Sequence, residues 1–346
     1  MSNKPVRILM TGAGAPGAPG IIRCLEQDPS LHLTVADADE DATGRYLATD
    51  FVRLPKASEE NFIDALLQVC GERGIELVLP LVTRELFPLA AARERFIKQG
   101  IRILVSGKEA IAIANDKAAC YGFLSGKGIA VPAFRVVTTV EEFIHAAFEL
   151  GHPQREIVFK PAVSNGSRGI RIVSDSLDES DQLFNHKPGQ LRMSYPQALT
   201  ILAAKPFPQL LVSEYLPGDE YSVDCLADGG KTLLAVPRVR HRTINGISVR
   251  GTFVNDEAII NYCSHIIAAI GLHGNIGIQL KVSAENKPLL LEINPRVQGT
   301  IVSAMGAGVN LPLLAVHQEL GLPLRKEDMQ PVWGTRFARY WTEVFY

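Results

Sequence analysis

Over roughly the first hundred residues, short β-branched, apolar runs alternate with stretches whose apolar positions recur at helical spacing. Val6–Met10, Leu31–Ala36, Leu77–Val82 and Ile101–Val105 carry the strand pattern, and Ile21–Gln27, Phe62–Cys70 and Leu86–Gln99 the helical one. Strands separated by helices pair in parallel, so residues 1–112 are expected to form a doubly wound, Rossmann-like parallel sheet. From about Asn115 the rhythm changes. Helical segments at Lys117–Ser125 and Glu141–Leu150 flank a short strand at Phe134–Val137. Strands follow at Ile157–Lys160, Ile170–Val173, Leu210–Leu216, Tyr221–Ala227, Leu233–Val239, Ile247–Phe253, Ile276–Val282 and Leu289–Ile293, with a helix at Glu257–Ile270 among them. Their hairpin-like turns predict an α+β region of mostly antiparallel sheets. Residues 174–209 are polar and irregular apart from a short helix at Tyr195–Ala204, and are expected to be an insertion or cover rather than core. Val332–Trp341 is expected to be a last strand.

Composition narrows the class. A chain of 346 residues exceeds the usual span of one hydrophobic core, which implies two or three packed lobes. With 47% hydrophobic and 21% charged residues it is an ordinary globular sequence. Lys and Arg number 35 against 37 Asp and Glu, so no basic excess points to nucleic acid. No apolar run is long enough for a bilayer and no signal-peptide pattern opens the chain, so a cytoplasmic protein without a membrane partner is expected. The five cysteines (Cys24, Cys70, Cys120, Cys225 and Cys263) form no CxxC pair and are expected to be free thiols.

Two motifs compete for the chemistry. Gly12-Ala-Gly-Ala-Pro-Gly17 matches GxGxxG, follows a strand and precedes a helix, and Asp37 closes the next strand. That context suits a dinucleotide, so an NAD(P)-dependent oxidoreductase is one reading. A tight strand-to-helix turn alone also favours glycine, and Pro16 and Pro19 stiffen the loop beyond what the fingerprint asks. The sharper pattern lies at 275–296. Polar and apolar residues alternate through Gln279, and after the turn at 284–287 Glu292 and Asn294 share one face of the next strand. A hairpin centred on that turn would set Gln279 opposite Glu292, with Asn294 one pleat away. One carboxylate and two amide oxygens suit a hard cation such as Mg²⁺. Pro295 would end the strand and leave Arg296 at its tip, free to reach a phosphoryl group. A solvent-facing hairpin explains the alternation equally well, but not the Glu and Asn before Pro-Arg at the end of an apolar run.

Taken in order, Asn115-Asp-Lys117, Phe159-Lys-Pro161, Ser164-Asn-Gly-Ser-Arg-Gly169, Glu214-Tyr-Leu216 and Glu292-Ile-Asn-Pro-Arg-Val297 resemble the motifs of the ATP-grasp superfamily, in particular its carbamoyl-phosphate-synthase-like branch. The glycine-rich N-terminal region resembles the pre-ATP-grasp domain of that branch. The resemblance implies a pre-ATP-grasp domain at 1–112, an ATP-grasp domain at 113–310 with a small lobe at about 117–213 and a large lobe at about 214–310, and a C-terminal segment at 311–346 packing on the core. It implies that Lys117 and Lys160 contact ATP phosphates, Lys160 also lying near the adenine. Residues 164–169 would close over the phosphates, with Gly166 and Gly169 letting backbone N–H groups approach and Ser164 and Ser167 in the same loop, although a plain hairpin turn fits the stretch too. Glu214, Tyr215 and Leu216 would offer hinge groups to the adenine. Glu220 would accept the ribose hydroxyls, with Asp219 as its rival. Gln279, Glu292 and Asn294 would hold one or two Mg²⁺ or Mn²⁺ ions, glutamine at 279 departing from many ligases of the superfamily. Arg296 and Lys160 would act in catalysis.

The activity implied is ATP-dependent activation of a carboxylate as an acyl phosphate for attack by an amine. Small-molecule carboxylate and amine substrates are the expected partners, with a homodimer left open. A nucleotide-binding regulator without turnover is a further alternative. For the acceptor, Arg238, Arg240 and Arg242 share one face of a strand and suit either a substrate anion or a solvated edge strand. Glu85 follows the strand ending at Pro80, where such sheets place ligands, but an acid in a helix's first turn is the plainer account.

Overall fold

The computed structural model describes residues 4–163, 168–185, 191–204 and 206–346. The chain divides into two compact units, one of Met1–Ala114, Glu220–Leu280 and Leu291–Tyr346, the other of Asn115–Asp219 and Lys281–Leu290. The expected small lobe at 117–213 therefore lies inside the second unit. The N-terminal domain, most of the large lobe and the C-terminal segment group together in the first.

The first unit opens with the parallel sheet. Strands β1 (Val6–Thr11), β2 (Leu31–Asp37), β3 (Asp50–Arg53), β4 (Leu77–Pro80) and β5 (Arg102–Ile103) stand in the order β3-β2-β1-β4-β5. Side chains alternate between faces, so Ile8, Met10, Val35 and Leu79 enter one core and Leu9, Ala36 and Val78 another. A parallel sheet covered on both faces needs such continuous apolar runs, which is why its inner strands are legible in the sequence. Strand β3 sits at the edge, is only half-buried, and carries no such run.

Departures from the expected elements have local causes. The first helix spans Ala18–Leu25, earlier than expected, because proline is accommodated in its first turn. The helix expected at Leu86–Gln99 is two, Thr83–Ala91 and Arg93–Ile97, with Pro88 withdrawing a backbone donor just before the break. Helices Lys108–Asn115 and Leu311–Leu320 are additional. The last strand is confined to Arg336–Ala338.

The same unit carries most of a six-stranded sheet of β11 (Glu220–Asp228), β12 (Lys231–Ile244), β13 (Ile247–Phe253), β14 (Gly274–Val282), β15 (Pro288–Asn294) and β16 (Arg336–Ala338), in the order β15-β14-β11-β12-β13-β16. Leu226, Val236 and Phe253 of this sheet share one core cluster with Ile8, Ile21 and Leu311, which joins the two sheets into one unit. Strand β12 runs far beyond the expected Leu233–Val239, and it lies inside the sheet rather than at its edge.

In the second unit β6 (Phe134–Val137), β7 (Ile157–Pro161), β8 (Arg171–Val173), β9 (Arg192–Met193) and β10 (Leu210–Glu214) form a sheet in the order β6-β10-β7-β8-β9. Ile157 and Phe159 point into a core with Phe143, Leu210 and Val212, which turns Lys160 to the opposite face. The stretch expected to be a mere cover contributes to this core, through Met193, Ala198 and Leu202. All five cysteines are buried and free. No single helix among the described residues is long and apolar enough to cross a membrane.

Gly17 explains one glycine of the N-terminal loop: a Cβ there would stand 2.3 Å from the Gly299 Cα. Gly17→Ala is therefore expected to lower stability by about 1–3 kcal/mol through overpacking against backbone. A urea unfolding midpoint unchanged from wild type would refute that contact.

Candidate functional site

In the second unit, Lys117 opens the helix Lys117–Gly126, whose first turn is capped by Asp116 accepting from the Ala118 and Ala119 N–H groups at 2.9 and 3.0 Å. The Lys117 N–H donates to the Ala162 carbonyl at 2.9 Å, which ties this helix start to the end of β7. Tyr121, one helical turn on, meets Lys160: the ammonium donates to its hydroxyl at 3.2 Å and lies 5.0 Å from its ring centroid. The Tyr121 hydroxyl in turn donates to the Leu290 carbonyl. Lys117 and Lys160 are both buried, and in such surroundings an ammonium attracts an anion with little screening. Tyr121 escaped the sequence reading, though its i, i+4 spacing from Lys117 put it on the same helical face.

Gly169 adopts φ +76°, and a Cβ there would meet the Pro161 ring at 2.6 Å, so glycine is required. Ser164, Gly166 and Ser167 lie outside the described residues. Glu214 ends β10 with its carboxylate accepting from the Ala133 N–H at 2.8 Å. The Tyr215 ring lies 4.2 Å from the Lys281 ammonium, and Leu216 is buried. Gly218 donates to the Val282 carbonyl at 2.9 Å and Val282 donates to that of Asp219 at 3.0 Å, which fixes the segment to the end of β14.

In the first unit the expected ribose residue Glu220 and one of the expected metal residues, Gln279, meet at one arginine. Arg240 Nη1 donates to the Glu220 carboxylate and, at 3.1 Å, to Gln279 Oε1, while its Nε donates to Ser248 Oγ at 2.9 Å. On β15 Glu292 accepts from Asn294 Nδ2 at 3.2 Å, which leaves the Asn294 amide oxygen beside a carboxylate. Among the described residues no group of three or more His, Cys, Asp or Glu could hold a metal. One carboxylate with amide oxygens is instead a sparse, hard donor set, which fits Mg²⁺ because that ion keeps waters and phosphate oxygens in its shell. Arg296 donates from Nε to Thr83 Oγ1 at 3.0 Å and from Nη1 to the Val297 carbonyl at 2.9 Å. Burial lowers its pKa, and the nearby Glu292 raises it.

Glu85 lies in the first turn of the helix that Thr83 begins, as the plainer account held, but it is buried and accepts from the Thr11 hydroxyl. Burial pushes its pKa up to about 7, helped by the charge of Asp37. Asp37 itself accepts from Gly14 N–H at 2.7 Å and Asp39 N–H at 3.0 Å. Its carboxylate is thus committed to the loop, and Gly17 is covered by Gly299, so two features that a dinucleotide needs are otherwise employed.

Arg238 requires a correction. Neither it nor Asp224 has any exposed side-chain surface, and the two form an ion pair. Its Nη2 donates to Ser222 Oγ at 3.0 Å and to Thr300 Oγ1, and Gln298 Nε2 donates to Asp224 Oδ1. Burial, with repulsion from Arg240 and Arg339, pushes the guanidinium down to about 9. Arg238 is therefore a structural cation rather than a substrate contact, and it does not lie on a solvated edge because β12 is internal, whereas Arg242 is exposed. Asp224 and Gln298 were not anticipated, since no local pattern marks a pair formed between strands.

Residues 8–104 match the family described as PylC-like, N-terminal domain, and residues 206–341 match ATP-grasp in the biosynthetic pathway with Ter operon. The carbamoyl phosphate synthase large chain of Thermus thermophilus is 27% identical over 283 residues, covering 78% of this chain and 26% of that protein. The chain thus spans about a quarter of such relatives or less. Among solved structures, N5-carboxyaminoimidazole synthetase from Staphylococcus aureus complexed with ADP aligns with a TM-score of 0.69 at 16% identity, over 94% of this chain and 79% of that one. L-amino acid ligase from Bacillus licheniformis aligns with a TM-score of 0.67 at 16% identity, over 96% and 79%. At these identities the structural likeness establishes the fold.

Two measurements check the electrostatics. A carboxyl whose pKa rises from 4.5 to about 7 on folding contributes stability at low pH that is lost as pH climbs through that window. Glu85→Gln is expected to gain on wild type between pH 5 and pH 8, by up to about 3 kcal/mol, in paired thermal melts. A gap independent of pH would show that Glu85 does not titrate there. Separately, Arg238→Met leaves Asp224 buried and uncompensated, which costs about 3–5 kcal/mol, while pairing it with Asp224→Leu restores most of the loss. Denaturant midpoints of the single and double variants decide this.

Proposed function

We propose that this chain, which carries an ATP-grasp domain and a PylC-like N-terminal domain, is a ligase that activates a small-molecule carboxylate with ATP and joins it to an amine. The observation that carries the reading is the end of β15, where Glu292 and Asn294 are hydrogen-bonded to each other four and two residues ahead of Arg296, within the matched ATP-grasp region.

A carboxylate is a poor electrophile because its charge is delocalised over the carbonyl. Its oxygen attacks the γ-phosphorus of ATP, the bond to the ADP oxygen breaks, and an acyl phosphate forms. The free amine then attacks the acyl carbon, inorganic phosphate departs, and the nitrogen loses a proton to give the amide. No protein nucleophile is needed, and positioning with charge neutralisation carries the rate. Lys117 and Lys160 serve as the phosphate contacts, Lys160 steadied by the Tyr121 hydroxyl. Arg296, oriented by Thr83, faces the charge that develops on the transferred group. Gln279, Glu292 and Asn294 would hold Mg²⁺, which when bound would supply further neutralisation of phosphate oxygens. Glu214, Tyr215 and Leu216 are the adenine hinge and Glu220 the ribose contact, the latter requiring the Glu220 carboxylate to serve Arg240 and the sugar together.

ATP·Mg²⁺ at one hundred times its dissociation constant should stabilise the wild type by about 2.7 kcal/mol, and Glu292→Ala should lose most of that shift. With hydroxylamine as amine, the wild type should release ADP and form a hydroxamate from one member of a carboxylate panel. An equal ATP shift in both proteins would sink the metal assignment. A shift with NADPH and none with ATP would restore the oxidoreductase, and ATP binding without ADP release from any carboxylate would favour a regulator.

A further inference from the structure

One face of the six-stranded sheet changes character along its strands. At Leu226, Val236 and Phe253 it is apolar core, and one or two pleats further it turns polar, with Asp224 and Ser222 on β11 and Arg238 and Arg240 on β12. The register extends the face outward: Gly251 lies opposite Arg240, and Phe337 lies opposite Gly251. Glycine is needed at 251, because a Cβ there would meet the Phe337 ring at 2.6 Å. Arg339, two residues beyond Phe337, therefore points to this same face, and its N–H donates to the Val249 carbonyl at 2.8 Å. Arg336, of the other parity, is exposed.

The face now holds three guanidinium groups. Asp224 compensates Arg238 and Glu220 compensates Arg240. Among the described residues Arg339 has no carboxylate within ion-pair distance, and its Nη1 is enclosed without a hydrogen-bond partner. Arg238 Nε is likewise without one. Burial lowers the Arg339 pKa, the mark of a cation set in a partly dry place. A solvated strand-end arginine would keep its donors in water. An enclosed, unsatisfied guanidinium donor carries a desolvation cost that an incoming anion removes.

We propose that Arg339 anchors an anionic group of the substrate other than the carboxylate that is activated, a second carboxylate or a phosphate, received by the guanidinium fork. The proposal rests on the ligase reading for the word substrate, but the anion subsite stands on its own geometry. Three strands separate β14, which bears Gln279, from β16, beside which Arg339 stands, so an anion held at Arg339 is a group remote from the carboxylate that is activated. Arg240, on β12 between them, is held by Glu220, Gln279 and Ser248.

The test is calorimetric titration with glutarate and with glycerol 3-phosphate, at constant ionic strength and with saturating ADP·Mg²⁺ present. Acetate, which has a single carboxylate, is the control. Wild type should bind one of the two probes at least tenfold more tightly than acetate, the preferred probe telling carboxylate from phosphate. Arg339→Gln should abolish that preference, Arg339→Lys should retain part of it, and ADP·Mg²⁺ affinity should be the same in all three. Equal probe affinity in wild type and Arg339→Gln, or no preference over acetate in wild type, overturns the subsite. Arg339-dependent probe binding in a protein that fails to bind ADP·Mg²⁺ would instead sink the ligase reading and leave the subsite intact.

Discussion

The first unit depends on a buried ion pair, Arg238 with Asp224, and on the groups that satisfy it. Two charges without exposed surface hold their place when nearly all of their remaining donors and acceptors are met, and here Arg238 Nε is left without a partner. Ser222 meets them from β11, and Gln298 and Thr300 from the loop after β15. That loop is thereby pinned to the sheet. Gly277 makes room for it, since a Cβ there would lie 2.4 Å from the Gln298 amide. Between Gln298 and Thr300 sits Gly299, the residue that packs on Gly17 at the entrance to the first helix. One polar cluster therefore fixes both the sheet that bears Glu220 and Gln279 and the N-terminal loop of the parallel sheet.

Much of this was legible in the sequence where the signal is local. The helix Glu257–Ile270 has the expected bounds because Asp256 caps its start through the Ile259 N–H and Gly271 ends it in the left-handed region. The inner strands of the parallel sheet announce themselves as apolar runs. What stayed hidden is what depends on pairing between strands. The alternating arginines of β12 look identical whether they face water or carboxylates, and their partners Asp224 and Glu220 sit on another strand. The far end of β12 is polar and carries irregular register at Arg240 and Arg242, so periodicity could not extend it. Arg339 directly follows a strand of three residues, too short to show a period.

The GxGxxG match shows how a motif can be met for another reason. Its first glycine has φ +74°, with the Val82 side chain 2.6 Å from where a Cβ would stand, and its third is required by Gly299. Both demands come from packing. The loop needs the same residues as a dinucleotide fingerprint, while Asp37 turns its carboxylate inward to Gly14. The spacing carries information about chain geometry first and about a ligand only second.

The contact of Gly17 with Gly299 has a consequence for how such a protein can diverge. Two stretches at opposite ends of the chain share a van der Waals boundary with no spare volume. A side chain can enter at either position only if the facing backbone retreats, and that backbone is held by Gln298 and Thr300 on the buried charges. Sequence drift in the N-terminal loop and in the loop after β15 is therefore coupled, and a chimera that exchanges one without the other inherits a steric mismatch beside an ion pair that has no water to relax it.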